Sequence, residues 1–421
     1  MSALICQVKA HLILRGDKIE ILRYTAAYEN KINNITVFQM RIVTTTSELA
    51  GLCSDLRPLN YVTVDTEFMR ETTYWPELCL IQLAGDGVEA IVDPLSDGLD
   101  LEPFFELMRD EDIVKVFHAA RQDVEIIHHM SGSLPHPIFD TQVAAAVCGF
   151  GESVGYSNLV KKILQVDIDK TSRFTDWRRR PLSDKQLTYA LGDVTHLCDV
   201  YKHLDGLLNE TGRGHWLGEE MAILTSPATY EQDPEHSWKR LKQRARNPKA
   251  LAIMMGLAKW REQTAQTKNT PRNRVVKDDL IYDVAMHAPK DQKALTNLRT
   301  VHDGIARSSK GGEILKIVAQ AEQIDLDTLP KIPRKRNPTP ETLAIGDLLR
   351  VLLKASAAQH GVATKILATT SDLEQLAADD EADIPALKGW RRELFGNDAL
   401  ALKHGKLGLV MEDGTITVRR F

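Results

Sequence analysis

Tyr61-Val62-Thr63-Val64-Asp65-Thr66-Glu67-Phe68 is the stretch on which the fold turns. Side chains alternate faces along a strand, so Asp65 and Glu67 project from one side while Val62, Val64 and Phe68 supply the opposite, apolar side. Two neighbouring carboxylates repel. They call for a compensating cation, a shared proton or full exposure to water, and the first of these makes the strand end a metal site.

Outward from this strand, Ile42-Val43 reads as a short strand, and Leu49, Leu52, Cys53 and Leu56 fall at helical spacing behind a Ser47 cap. Residues 78–83 and 89–92 read as two further strands joined by Gly85-Asp86-Gly87, completing an antiparallel meander. A helix over 101–108 and a strand over 113–117 follow, so the fold class is α/β, a mixed sheet with flanking helices. Residues 1–40 lack a sustained period and read as an N-terminal extension with few contacts to the core.

Two later helices add polar groups. Over 119–130, Asp123 shares the apolar stripe with Ile126, Ile127 and Met130, which points it back over the sheet end near the helix N-terminus; a simple helix cap is the bland alternative. Over 183–204 the stripe is Leu187, Leu191, Val194, Cys198 and Tyr201, and Tyr189 and Asp193 share a face at its rim. Tyr189 taken alone is also compatible with a packed aromatic. Gly192 weakens this helix and implies close approach of a backbone or a ligand.

Asp65, Glu67, Asp123 and Asp193 thus come from three elements toward one sheet edge. Their combined charge of about −4 matches two divalent cations, and an oxygen-only donor set favours Mg²⁺ or Mn²⁺ over zinc. Two such ions suit in-line displacement at a phosphodiester. A glycosidase pair would need only two acids. The Tyr189 phenol is a poor base at neutral pH and is better placed to orient a nucleophile.

Composition bounds the rest. The 421 residues allow about three domains at ~150 each, with 26% charged and 43% hydrophobic residues as in ordinary globular chains. A net charge of −5 leaves any binding of nucleic acid to local basic patches or metals. Five dispersed cysteines without a C-x-x-C pair fit buried thiols in the cytoplasm. No apolar run approaches the ~18 residues of a membrane span, and Ala10-His11-Leu12-Ile13-Leu14 is too short for a signal peptide. No dimer motif stands out, so a monomer is expected.

Beyond Gly212 the pattern is all-helical. Asn247-Pro248 opens one helix, residues 271–276 read as a loop, Asp278-Asp279 open another helix, and residues 308–312 read as a polar linker ahead of a short helix near 314–322. Residues 330–340 are a Pro-rich basic connector. Thr339-Pro340, a capping box at 371–374 and Trp390-Arg391 weakly echo the preceding unit, and 407–418 reads as a hairpin around Asp413-Gly414. Lys239, Arg240, Lys242, Arg244, Arg246 and Lys249 form a run without an acid, and Arg334-Lys335-Arg336 form a second basic cluster. Both fit either a solvated face or phosphate contact.

Val64-Asp65-Thr66-Glu67-Phe68, His118-Ala119-Ala120-Arg121-Gln122-Asp123-Val124-Glu125 and Tyr189-Ala190-Leu191-Gly192-Asp193-Val194 together resemble the three motifs of DEDDy 3′→5′ exonucleases, and most of all those of the ribonuclease D family. Asp140-Thr141, Thr175-Asp176-Trp177 and Arg180-Pro181-Leu182 also match. The resemblance covers 41 to about 405 and leaves the segment before Met40 unexplained. It implies a ribonuclease H-like exonuclease domain over 41–210, an HRDC domain over 213–303, a linker over 304–338 and a second HRDC-like domain over 339–421. It further implies stepwise hydrolysis of RNA to 5′-mononucleotides, with tRNA precursors or other small structured RNAs as substrates. Asp65, Glu67 and Asp193 would hold one metal, Asp65 with Asp123 the second, and Tyr189 the water. Phe68 and Met69 would lie beside the terminal bases, and Lys239, Arg240 and Arg244 would contact substrate. His118 is given a packing or hydrogen-bonding role beside the site. A DNA exonuclease and a non-catalytic nucleic-acid adaptor are the alternative readings.

Overall fold

Residues 61–69 form a strand because β-branched and aromatic side chains line both of its faces: Tyr61, Val62, Thr63, Val64 and Thr66 are all buried. The computed structural model describes residues 8–15, 18–25, 38–242, 245–331 and 338–421, with backbone alone before residue 40. In order across the main sheet the strands are Arg41–Val43, Val88–Val92, Glu77–Gly85, Tyr61–Met69, Val114–Phe117 and Ile138–Asp140. The first pair is parallel, with Ile42 opposite Ile91; Glu77–Gly85 and Val88–Val92 are antiparallel, with Leu83 opposite Ala90. Tyr61–Met69 runs parallel to Val114–Phe117, which runs parallel to Ile138–Asp140. The sheet is therefore mixed, with the acidic strand inside it.

The helix Thr46–Leu56 buries Leu49, Leu52, Cys53 and Leu56 as the periodicity requires, but its cap is Thr45 and not Ser47. Thr45 and Glu48 exchange hydrogen bonds in a capping box, a Thr-x-x-Glu signal that begins two residues earlier. The helix Asp184–Thr211 starts from a Ser183–Gln186 capping box and ends on Gly212 in the left-handed region. Thr63 fastens this helix to the sheet: its hydroxyl lies 3.0 Å from the Val194 carbonyl and 3.1 Å from that of Ala84.

The described residues fall into two compact units. The first comprises Met1–Glu67, Leu78–Ser226 and Pro340–Phe421. Within it, Val8–Arg15 and Lys18–Thr25 pair antiparallel, and Phe38–Gln39 adds to the second of them, so part of the segment read as unpatterned is strand. Also within it, Pro340–His360 and the following helices build a core around Leu352, Leu376, Trp390 and Phe395. Trp216, from the helix Gly214–Leu224, stacks on Trp390 with ring centroids 4.6 Å apart, and the buried Arg391 guanidinium bonds to Glu219 and Glu220. Gly214–Leu224, at the start of the stretch 213–303 expected to be a helical domain, thus belongs to the first unit, where it packs with the C-terminal helices. The capping box read at 371–374 lies at Thr369 and Asp372, and the terminal hairpin pairs Leu407–Glu412 with Thr415–Arg420.

The second unit comprises Phe68–Glu77 and Pro227–Thr339. Its core joins Leu251, Met254 and Leu257 of Pro248–Thr267 to Ile281 and Val284 of Asp278–His287 and to Ile314 and Val318 of Ser309–Ala321. Residues 308–312, read as a linker, open that last helix. Gly311 is required there because a Cβ would stand 2.3 Å from the Ala306 carbonyl oxygen, so it serves close packing and not flexibility. Residues 271–276, read as a loop, contain the short helix Arg272–Val275 behind Pro271. In the same unit, Asn269 Oδ1 accepts the N–H groups of Tyr74 and Trp75 at 3.0 Å each, and Glu262 gathers Arg240, Arg272 and the Tyr74 hydroxyl. Arg334-Lys335-Arg336 lie outside the described residues.

Candidate active site

Strand alternation places Asp65 and Glu67 side by side, and the helix Asp184–Thr211 brings Asp193 to them. One carboxylate oxygen from each of the three lies within 4.8 Å of the others. Asp123 stands outside that trio. It is buried in the first turn of Arg121–Ser131, and it accepts a hydrogen bond from Thr66, the residue between the two strand acids. The start of its helix is held from a distance: Asp140 accepts the N–H groups of Ala119 at 3.0 Å and Ala120 at 2.9 Å, with Ala119 at φ 61°. Asp140 therefore fixes the turn that aims Asp123.

The acids destabilise one another's charged forms. Burial raises the Asp65 carboxyl well above its ordinary range, with the charges of Asp193, Asp123 and Glu67 adding to the effect. Burial, then Asp193 and Asp123, push Glu67 up to about 9. Burial pushes Asp193 up to about 7 against the pull of its hydrogen bond from Tyr189 and the charge of Arg173, and pushes Asp123 up to about 7 against the Thr66 hydrogen bond. Asp123 thus belongs to the cluster electrostatically although it stands apart from the trio. Crowded, desolvated carboxylates with no histidine or cysteine among the donors are a set that a hard divalent cation satisfies.

Tyr189, one turn before Asp193, donates its hydroxyl to that carboxylate, and burial raises its phenol far above the usual range. It stays protonated, which makes it a hydrogen-bonding group and not a base. The Trp177 ring packs 6.2 Å from it. Gly192 has no backbone near it: a Cβ there would meet open space, and its carbonyl accepts from the Tyr156 hydroxyl at 3.0 Å. Both ring nitrogens of His118 are engaged, by Thr141 at 2.9 Å and the Val154 carbonyl at 3.1 Å.

The remaining candidates lie in the second unit. Phe68 and Met69 continue the acidic strand and are half-buried. Lys239 is exposed. Arg240 is committed to an internal network, donating to Glu262 at 2.8 Å and Gln232 at 2.7 Å, which is a structural use of a residue assigned to substrate. Arg244 lies outside the described residues. Thr66, Asp140 and Arg173 escape the reading from sequence; only the position of Thr66 between two acids and the Asp140-Thr141 pair carry any signal.

A mixed sheet with acids on an inner strand, joined by acids from two helices and a tyrosine one turn before the last, defines a metal-dependent 3′→5′ exonuclease. Residues 40–209 match the family model for a 3′-5′ exonuclease, and residues 250–318 match that for an HRDC domain. Ribonuclease D of Nitrobacter hamburgensis is 53% identical over 377 residues, covering 90% of this chain and 98% of that protein. Ribonuclease D of Bartonella henselae is 45% identical, covering 90% and 94%. The crystal structure of Escherichia coli RNase D, described as an exoribonuclease involved in structured RNA processing, superposes with a TM-score of 0.77 at 28% identity, covering 87% of this chain and 99% of that one. The chain belongs to the ribonuclease D family and is a 3′→5′ exoribonuclease. The matched HRDC segment runs through Gly311 and Ile314, into the stretch read as a linker.

Proposed function

We propose that the carboxylate centre holds two divalent cations, Mg²⁺ or Mn²⁺, and removes 5′-mononucleotides one at a time from the 3′ end of RNA. Asp65, Glu67 and Asp193 would bind the first ion, and Asp65 with Asp123 the second. The observation that carries the reading is the trio of oxygens within 4.8 Å whose charged forms burial disfavours. Bound divalent ions supply the positive charge that acidifies a water and offsets charge developing at phosphorus.

The chain's own groups do the remaining work. Tyr189, fixed by Asp193, orients the attacking water through a hydroxyl that keeps its proton. Thr66 holds Asp123 to the strand end, and Asp140 holds the turn from which its helix starts. Phe68 and Met69 line the path of the terminal bases, and Lys239 supplies a phosphate contact.

The natural substrates proposed are tRNA precursors and other small structured RNAs with free 3′ ends, processed by a cytoplasmic monomer. No helix among the described residues is long and apolar enough to cross a membrane. The domain division follows the same reading: exonuclease over 41–210, with an HRDC domain and a second HRDC-like unit after it. The test is release of mononucleotides from 3′-hydroxyl RNA with Mg²⁺, with Mn²⁺ and with chelator. Turnover in chelator, or persisting in Asp193→Asn, would overturn the assignment.

A further inference from the structure

Phe174 is 90% exposed, more than any other large apolar side chain among the described residues. It sits in a turn over 171–174 whose flanks are fixed. Ser172 and Trp177 are buried, the Trp177 ring packs on Tyr189, and Thr175 Oγ1 accepts from Gln186 Nε2 at 3.2 Å. The turn is therefore anchored to the beginning of the helix that carries Tyr189 and Asp193. An aromatic ring kept in water on an anchored turn forgoes the stabilisation that burial would give it.

The ring has one cationic neighbour on the same turn. The Arg173 guanidinium carbon lies 5.2 Å from its centroid, within cation–π range. The charge of Arg173 also reaches Glu67 and Asp193, whose carboxyls it pulls downward. The adjoining residues Lys170, Thr171 and Ser172 are polar, so this is a single ring in a cationic setting and not an apolar patch suited to a protein or lipid surface. What matches a flat π-face next to positive charge, beside a phosphodiester-cleaving centre, is a nucleotide: its base stacks and its phosphate meets the guanidinium.

We propose that Phe174, with Arg173 beside it, forms a stacking subsite for an unpaired base near the 3′ end of the RNA being degraded. The proposal rests on the carboxylate centre being the place of cleavage. Stacking tolerates any base, so the subsite leaves sequence unread. A base inside a duplex already has both faces covered, so the subsite favours unpaired 3′ ends over paired ones.

The test is steady-state kinetics of the full chain on single-stranded RNA, with Phe174→Ala and Phe174→Trp, and on RNAs carrying one abasic ribonucleotide at successive positions from the 3′ end. Phe174→Ala is expected to raise KM by about tenfold to a hundredfold with kcat little changed, and Phe174→Trp to restore it. One abasic position should abolish the difference between wild type and Phe174→Ala. An unchanged KM in Phe174→Ala, or a penalty equal on intact RNA and on every abasic RNA, would overturn the proposal. Asp193→Asn in the same series reports on the cleavage centre separately: turnover surviving there contradicts the centre, whatever Phe174 does.

Discussion

Replacing Asp193 by Asn should stabilise the metal-free protein while abolishing its activity. Burial raises the Asp193 carboxyl from its ordinary value near 3.8 to about 7, so the folded state binds a proton more tightly than the unfolded chain. The sign follows from linkage. Between about pH 4 and pH 7 the folded form holds more protons, so stability is lost as pH rises through that window and stays lost above it. The full shift corresponds to at most about 4 kcal/mol at ~1.4 kcal/mol per unit; because Asp193 is only partly buried and shares its protons with Asp65 and Glu67, roughly 2 kcal/mol of this belongs to it alone. Asn cannot ionise and escapes this penalty. Urea unfolding in chelator should show Asp193→Asn about 2 kcal/mol more stable than wild type at pH 8, with the gap narrowing as pH falls toward 4. Millimolar Mg²⁺ should close or reverse it, because only the wild type gains a bound cation. A variant less stable than wild type in chelator at pH 8, or a gap independent of pH, would refute the view of these acids as a repelling cluster.

Other perturbations test separate parts of the site. With Glu67 pushed up to about 9 and Asp193 to about 7, divalent binding near pH 7 must expel protons, so calorimetry in buffers of different ionisation enthalpy should show release of about one proton or more and affinity rising from pH 6 to pH 9. Tyr189→Phe should lower kcat by about a hundredfold and leave KM for RNA nearly unchanged; a loss confined to KM would place Tyr189 in binding instead. Thr66→Val removes the donor to Asp123, costing about 1–3 kcal/mol and most of the activity, whereas Thr66→Ser should retain both. Glu262→Leu strips the buried acid from Arg240 and Arg272 and should destabilise the second unit by about 3–5 kcal/mol, read as early loss of its cooperative unfolding.

What could be read before the fold was seen is what depends on near neighbours. The pairing of Asp65 with Glu67 follows from strand alternation, and that of Tyr189 with Asp193 from one turn of helix, so both were visible in their spacing. The support of Asp123 was not: it depends on Asp140, seventeen residues downstream, reaching back to Ala119 and Ala120, and on Thr66 leaning across from another element. The tie of Arg240 to Glu262 was not legible either, because a basic run shows charge and not the buried acid that neutralises part of it. Gly311 was misread because a glycine demanded by the Ala306 carbonyl is spelled like one in a flexible linker.

Anomalous diffraction from crystals grown with Mn²⁺ tests the central claim most directly. One peak is predicted among Asp65, Glu67 and Asp193, and a second shared by Asp65 and Asp123. Crystals of enzyme that degrades RNA, yet shows no peak at these carboxylates, would contradict it.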